Sequence, residues 1–249
     1  MSMSVIARAC DCVALPELAG CRVLVTGLTT DFGFDVARSF ADRGARLIVQ
    51  SPDAGPALTE LATLLADNAR EMHLFDAPLD SEADAARLVQ TVAQELGGID
   101  AMVNLACVER AFVDGLETPG DVERLVSEVL RLPLRLTEVA ANRMRLVWRE
   151  GVILNAVRMS SASGGRAMML ADVLRAELAA LTRGLAREWA EHGISINAVA
   201  PPSSVAVLTG ETEASEADLA AVAIELASRK GRGVSGHVLD ATGSAGHCC

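Results

Sequence analysis

Residues 168–202 have the sequence MMLADVLRAELAALTRGLAREWAEHGISINAVAPP, and the pattern within them decides the fold. Apolar side chains recur every three or four residues, which predicts one apolar stripe along a helix; they are Leu170, Leu174, Leu178, Leu181, Leu185 and Trp189. A second row of small side chains lets another helix approach closely; it comprises Val173, Ala176, Ala180 and Gly184. Gly193 then ends the helix, and residues 194–199 are predicted to form a buried strand.

Strand and helix patterns alternate through the rest of the chain. The predicted strands are 22–26, 46–50, 71–75, 99–107, 151–158 and 233–242, and the predicted helices are 34–43, 57–68, 82–96, 121–150 and 217–229. Such alternation predicts an α/β fold, a doubly wound parallel sheet with helices on both faces. We expect a single domain over residues 1–249, with residues 1–15 as a lead-in.

The composition is that of a globular domain with an ample core. The chain has 249 residues, of which 51% are hydrophobic, and a formal net charge of −11. An acidic surface argues against nucleic acid or an anionic membrane as a partner, and no apolar run is long enough to span a bilayer.

The termini carry cysteines but no recognisable motif. The N-terminal MSMSVIARACDC lacks a signal-peptide core, so we expect a cytoplasmic protein with reduced thiols. Cys10, Cys12 and the terminal residues 247–249 are separated fragments without the spacing of a metal site, and we expect no metal.

Five segments at consistent spacing resemble the short-chain dehydrogenase/reductase family. They are VTG, IDAMVN, GVILN, LTRGLAREWA and GISINAVAP, beginning at residues 25, 99, 151, 181 and 193. The resemblance covers about residues 16–246. It implies a Rossmann-type fold, a nicotinamide cofactor and hydride exchange with a carbonyl or hydroxyl substrate.

The catalytic positions implied by this resemblance hold other residues. Ala171 stands at the tyrosine position, Arg175 at the lysine, Arg158 at the serine and Val129 at the asparagine. In the family the tyrosine exchanges a proton with the substrate, and this chain contains no tyrosine. We therefore expect no catalytic residue at these positions.

Arg158 and Arg175 are expected to face the former catalytic site, because the family positions that they occupy do. One interpretation is an anion-binding site. The other, which we favour because buried charges are usually paired, is that they pair with Asp31 or another carboxylate and fill the cavity. A slip of two residues would offer a hydroxyl from a nearby serine; the candidates are Ser160, Ser161 and Ser163.

The cofactor turn keeps part of the family pattern. Thr26, Gly27 and Gly33 match it, and Asn104 is kept on a later strand. Asp31, however, replaces the middle glycine and places a charged side chain where bare backbone would approach pyrophosphate. Asp31 is also a suitable N-cap for the following helix. We expect no cofactor to bind this chain.

Other parts of the chain also differ from the family pattern. Ser51 stands where an acidic or basic residue usually selects the cofactor, with Asp53 as an alternative after a shift of two residues. Cys107 replaces a glycine beside the cofactor, and we expect a buried structural thiol. Residues 203–215 form a substrate loop shorter than the family's lid, and Pro133 is expected to kink its helix.

These features predict a pseudoenzyme whose fold is still under selection, because its core pattern is clean. The resemblance implies a non-catalytic structural or regulatory subunit of a heterotetrameric dehydrogenase. Its partner would be a catalytically complete sister subunit that holds NAD and acts on a hydroxyacyl-CoA, with contacts through helices 121–150 and 167–192. The alternatives are an NAD(P)-dependent oxidoreductase that uses Arg158, Asn155 or a nearby serine, and an anion- or CoA-sensing module.

Overall fold

Seven parallel strands form the centre of the computed structural model, which describes residues 3–6, 18–147, 150–159, 164–208, 212–213, 215–240 and 242–243. The strands are β1 Met3–Ile6, β2 Arg22–Thr26, β3 Arg46–Ser51, β4 Glu71–Asp76, β5 Ala101–Val108, β6 Gly151–Met159, β7 Ile194–Ala200, β8 Thr212–Glu213, β9 Val238–Asp240 and β10 Thr242–Gly243. The helices are α1 Phe34–Ala41, α2 Pro56–Ala66, α3 Glu82–Glu95, α4 Arg110–Asp114, α5 Pro119–Leu146, α6 Gly165–Trp189, α7 Ser204–Leu208 and α8 Glu216–Ala227.

The parallel strands follow the order β4-β3-β2-β5-β6-β7-β9, so the direction of winding reverses between β2 and β5. Doubly wound folds bind their ligands outside the carboxyl ends of the strands at this reversal. The predicted α/β architecture is therefore confirmed, and it locates the candidate site.

Both faces of the sheet are covered, which is why β2 and β7 are buried at every position. Alternate residues of a strand point to opposite faces. Val23 and Val25 accordingly lie in the core formed with α1, α2 and α8, whereas Leu24 lies in the core formed with α3, α5 and α6.

Helix α6 carries the two predicted rows on different faces. Leu170, Leu174 and Leu178 are buried against the sheet, whereas the small row of Val173, Ala176, Ala180 and Gly184 is exposed. A Cβ added to Gly184 would meet no other atom within 4 Å. The apolar row thus builds the core, and the small row is an open surface.

Capping boxes begin three helices, and two of these helices, α5 and α8, start earlier than predicted. Thr118 and Asp121 bond each other's backbone at the start of α5, and Pro119 follows at the first helical position. Ser81 with Asp84 begins α3, and Ser215 with Asp218 begins α8 in the same way. Helix α5 continues through Pro133 and ends at Leu146, earlier than predicted.

The two ends of the described chain differ from the prediction. The expected lead-in contains β1, which pairs antiparallel with the outer strand β4. The last parallel strand, β9, covers only Val238–Asp240, and the predicted start of this strand at residue 233 belongs to a 3-10 turn, Gly231–Gly233. Cys10, Cys12 and residues 247–249 lie outside the described residues. Within the described ranges, no helix is long and apolar enough to cross a membrane.

Candidate functional site

The candidate site is the crevice at the carboxyl ends of β2, β6 and β7, where α8 begins. Phe32, Arg158, Pro202 and Glu216 contribute to its lining. The cavity between them measures about 30 Å³, which admits water but falls far below the several hundred cubic ångströms of typical small-molecule sites. Little space accessible to water is therefore left among these side chains.

The turn after β2 has its first amide groups bonded within the protein. The Gly27 N–H donates to Gln50 Oε1 at 2.9 Å, and the Leu28 N–H donates to the Gln50 carbonyl at 3.1 Å. The Thr30 N–H donates to the Asp53 carboxylate at 3.3 Å. These donors are the kind of groups that a glycine-rich turn offers to a phosphate, and here the chain supplies their acceptors.

Both glycines of the turn are required by close packing. A Cβ on Gly27 would lie 2.0 Å from the Leu105 carbonyl oxygen, and one on Gly33 would lie 2.3 Å from Leu105 Cδ1. Their φ angles, 72° and 101°, also favour glycine. Close packing against β5 and the positive φ angles therefore account for both glycines without a cofactor.

Glu216 closes the far end of the turn. The Asp35 N–H donates to Glu216 Oε1 at 2.7 Å, and the Gly33 backbone also lowers the pKa of this carboxyl group. Burial raises the pKa of Glu216, the nearby Asp35 carboxylate adds to that rise, and the two backbone groups and Arg158 oppose it. A carboxylate of the chain therefore occupies the start of α1.

The prediction that Asp31 caps α1 is wrong. The N-cap is Gly33 in a left-handed conformation, with no side-chain cap bond, and Asp31 is exposed. Asp31 was expected to place an acidic side chain at the phosphate turn. Glu216 does so instead. Sequence analysis missed Glu216, because nothing in its local sequence places it near residue 35.

Arg158 packs over an aromatic ring beside this carboxylate. Its guanidinium carbon lies 5.3 Å from the centroid of the buried Phe32 ring, within range of a cation–π contact, and its charge lowers the pKa of Glu216. The expected carboxylate neighbour of Arg158 is thus Glu216 rather than Asp31. Arg175 Nη1 donates to the Pro201 carbonyl at 3.3 Å, where the chain leaves β7.

The positions aligned with the family's tyrosine and asparagine lie in apolar surroundings. Ala171 is buried in a cluster with Leu170 and Leu174, and Val129 packs partly buried against the same cluster. Neither side chain carries an acidic proton. Ser160, Ser161 and Ser163 lie outside the described residues.

Asn104 belongs to a buried polar network that joins four elements, the strands β2, β5 and β6 and the helix α5. Its Oδ1 accepts from Thr26 Oγ1 at 2.8 Å, and its Nδ2 donates to Asn155 Oδ1 at 2.8 Å. Thr137 of α5 donates to the Pro133 carbonyl at 2.8 Å and lies 3.1 Å from Asn155 Oδ1. Thr26, Asn104 and Asn155 thus bond side by side across β2, β5 and β6; Thr137, four residues after the helix proline, was not predicted.

The remaining candidates fall into structural and exposed positions. Ser51 is fully buried, and its Oγ accepts from the Asp53 N–H at 3.0 Å, so both residues shape the loop after β3. Cys107 is exposed. The prediction of a buried thiol is wrong because residue 107 lies near the carboxyl end of β5. Among the described residues, no three His, Cys, Asp or Glu side chains gather as metal ligands.

A family model described as short chain dehydrogenase matches residues 22–218. The chain belongs to the short-chain dehydrogenase family. Its relatives in this family include galactitol 2-dehydrogenase of Agrobacterium fabrum, 30% identical over 180 residues that cover 72% of this chain and 68% of that protein. Momilactone A synthase of Oryza sativa is 30% identical over 251 residues, covering 91% of this chain and 90% of that protein.

Solved short-chain dehydrogenase structures share the fold. A hydroxysteroid dehydrogenase from Escherichia coli superposes with a TM-score of 0.71 at 22% identity, covering 92% of this chain and 97% of the other. A short chain dehydrogenase from Burkholderia cenocepacia in complex with NADP gives 0.68 at 23% identity, covering 90% and 97%. These similarities establish the architecture of this short-chain dehydrogenase, and its curated relatives are oxidoreductases.

Proposed function

We propose that this short-chain dehydrogenase is a pseudoenzyme, a non-catalytic structural or regulatory subunit of a heteromeric dehydrogenase. One observation carries the proposal: the family's acid position holds Ala171, buried among apolar side chains, in a chain without tyrosine. An alkyl group cannot exchange the proton that carbonyl reduction requires. Arg175 is a permanent cation with no phenol beside it to tune.

The same proposal holds that the chain binds no nicotinamide cofactor. The amides of Gly27 and Thr30 already donate to Gln50 and Asp53, and that of Asp35 donates to Glu216. A dinucleotide would have to displace these acceptors and enlarge the existing cavity, which measures about 30 Å³. The residues present therefore do not fit the group that the family implies, and NAD is assigned to the partner subunit.

Helix α6 offers the surface for that partner. Its exposed uncharged stripe is Met169, Val173, Ala176, Ala180 and Gly184, which spans about 22 Å at the helical rise. Glu177 and Arg183 lie three residues before and after Ala180. In an antiparallel pair centred on Ala180, a similar helix of a sister chain would meet each charge with its opposite.

The predicted contact through α5 would be polar. Most of its apolar side chains face the core, with Leu146 exposed at its end, and its exposed side chains are mostly charged, including Glu123, Arg124, Glu128, Arg131 and Glu138. The small-residue contact is therefore assigned to α6, and α5 would add polar contacts at its rim.

The substrate of the complex rests on resemblance alone. Heteromeric family members act on hydroxyacyl thioesters, and the assembly that we consider is the 2-[hydroxy(phenyl)methyl]succinyl-CoA dehydrogenase of anaerobic toluene degradation. No residue lining the described crevice selects that substrate, so the substrate stays a prediction. The cytoplasmic location also stays a prediction.

Co-expression with the native sister subunit, followed by native mass spectrometry, tests the proposal. We expect a heteromer for the wild type and its loss for Ala180→Arg, because the long charged side chain overpacks a close helix contact. Ala86→Arg, at an exposed alanine of α3, is the matched control and should keep the heteromer. A wild-type chain found only as monomer or homo-oligomer beside its sister contradicts the proposal.

The second candidate is an oxidoreductase that works alone with other residues, which the active relatives favour. Calorimetry of the isolated chain with NAD+, NADH, NADP+ and NADPH distinguishes the two. A micromolar dissociation constant for any of them would support the second candidate. A rise in melting temperature with CoA alone would favour the sensing module instead.

A further inference from the structure

Glu216 is the first residue of α8, and its carboxylate lies at the start of the neighbouring helix α1. That helix start is where folds of this architecture hold the phosphates of a dinucleotide. We propose that Glu216 is an internal substitute for phosphate that keeps nucleotides out of the crevice. Removing its side chain would uncover a site for a nucleoside diphosphate.

The groups around Glu216 are those that would bind a phosphate. The N–H group of Asp35 donates to the carboxylate at 2.7 Å, and the Gly33 backbone and the charge of Arg158, which packs over Phe32, lower the pKa of Glu216. Backbone amides at a helix start together with a guanidinium form an effective cradle for an oxyanion. The chain has thus kept a phosphate cradle and supplied its own anion.

The start of α8 does not depend on this contact. Burial and the Asp35 carboxylate raise the pKa of Glu216, whereas the backbone groups at the start of α1 and Arg158 lower it and so favour the ionised side chain. The helix start is capped separately by Ser215 and Asp218, whose side chains bond each other's backbone. A truncated residue 216 should therefore leave α8 intact.

The sequence provides a matched control. Ser-Glu-Ala-Asp occurs at 81–84 and again at 215–218, and both copies begin a helix with a capping box. Glu82 is exposed and pairs with Arg135 at 2.7 Å, whereas Glu216 turns into the crevice. The same tetrapeptide thus has a glutamate at the same helical position in two environments, and only one copy touches the turn.

Calorimetry with inorganic pyrophosphate and with ADP tests the proposal on four full-length proteins: wild type, Glu216→Ala, Glu216→Gln and Glu82→Ala. We expect Glu216→Ala to bind pyrophosphate on the order of a hundredfold more tightly than wild type, because the charge-assisted donors then face the ligand. Glu82→Ala should match the wild type. Glu216→Gln keeps the side-chain volume and should gain little.

Arg158→Ala added to Glu216→Ala should reverse most of the gain, since it removes the cation of the cradle. Circular dichroism and melting curves confirm folding, and Glu216→Ser provides a second truncation if the alanine variant does not fold. No gain in either folded truncation, or an equal gain in Glu82→Ala, overturns the proposal.

The proposal rests on the proposed absence of cofactor binding, and the experiment separates their failures. Tight NAD binding by the wild type contradicts both. Unchanged weak binding by Glu216→Ala contradicts only the role of Glu216. A gain of binding without dehydrogenase turnover supports both, because Ala171 still supplies no acid.

Discussion

The buried network around Asn104 leads to a quantitative prediction. Asn104→Leu preserves the approximate volume but removes the acceptor of Thr26 Oγ1 and the 2.8 Å donor to Asn155. It leaves two buried polar groups short of a partner, at about 1–3 kcal/mol for each fully unpaired group. Because Asn155 keeps its contact with Thr137 at 3.1 Å, we expect a total loss of about 3 kcal/mol.

Thr137→Val is the matched comparison within the same network. It removes one donor, but Asn104 Nδ2 still reaches the Pro133 carbonyl at 3.3 Å and Asn155 at 2.8 Å. The acceptors therefore stay partly satisfied, and we expect a loss of about 1 kcal/mol. The two substitutions should also couple in a double-mutant cycle, since both side chains share Asn155.

Urea denaturation measures both free energies of unfolding, and melting curves provide a check. A loss of 3 kcal/mol corresponds to a fall of roughly 10 °C in melting temperature for a domain of this size. Equal losses for Asn104→Leu and Thr137→Val, or an Asn104→Leu within about 0.5 kcal/mol of wild type, would refute the accounting. Either outcome would also bring back the interpretation of Asn104 as a ligand-binding residue.

Three further predictions follow from single residues. Alkylation of the native protein at pH 8, mapped by peptide mass spectrometry, should label exposed Cys107 but not Cys21, whose pKa burial raises to about 12; labelling of Cys21 before unfolding would contradict this. Asp121→Asn should destabilise the protein at neutral pH. Bonds from Thr118 lower the pKa of Asp121 to about 2, so the deficit relative to wild type should shrink as pH falls from about 4 to 2; a deficit unchanged by pH would count against it. Gly27→Ala should destabilise strongly, because its Cβ would meet the Leu105 carbonyl at 2.0 Å, whereas Gly184→Ala in open space should gain up to about 1 kcal/mol of helix stability. Equal effects of the two in urea denaturation would be inconsistent with this packing.

Periodicity predicted the fold because burial on two faces leaves a strong pattern. Strand Arg22–Thr26 was predicted to the residue, since an unbroken apolar run ends at a glycine turn. The prediction for α6 also held, because its apolar and small rows differ in composition. Observed helix starts differ from the predicted ones where side chains bond the backbone, as Thr118 does at α5. The spacing of hydrophobic residues does not reveal such bonds.

The residues that occupy the candidate site could be predicted only in part. Substitutions at Ala171, Arg158 and Asp31 signalled a changed site, yet the acid at the turn is Glu216. Residues 81–84 and 215–218 are identical, so their local sequence cannot distinguish an exposed glutamate from one turned into the crevice. That distinction arises from the helix packed alongside, a long-range contact between residues 35 and 216.

The short strand β1 has a consequence for how this protein associates. An open strand edge presents rows of unpaired N–H and C=O groups that recruit strands from other molecules. Residues Met3–Ile6 lie antiparallel along β4, from Phe75 to Met72, so the outermost strand on this side has only four residues. Very short edge strands offer few unpaired groups to another molecule, and growth of the sheet from one molecule into the next is thereby disfavoured on that side.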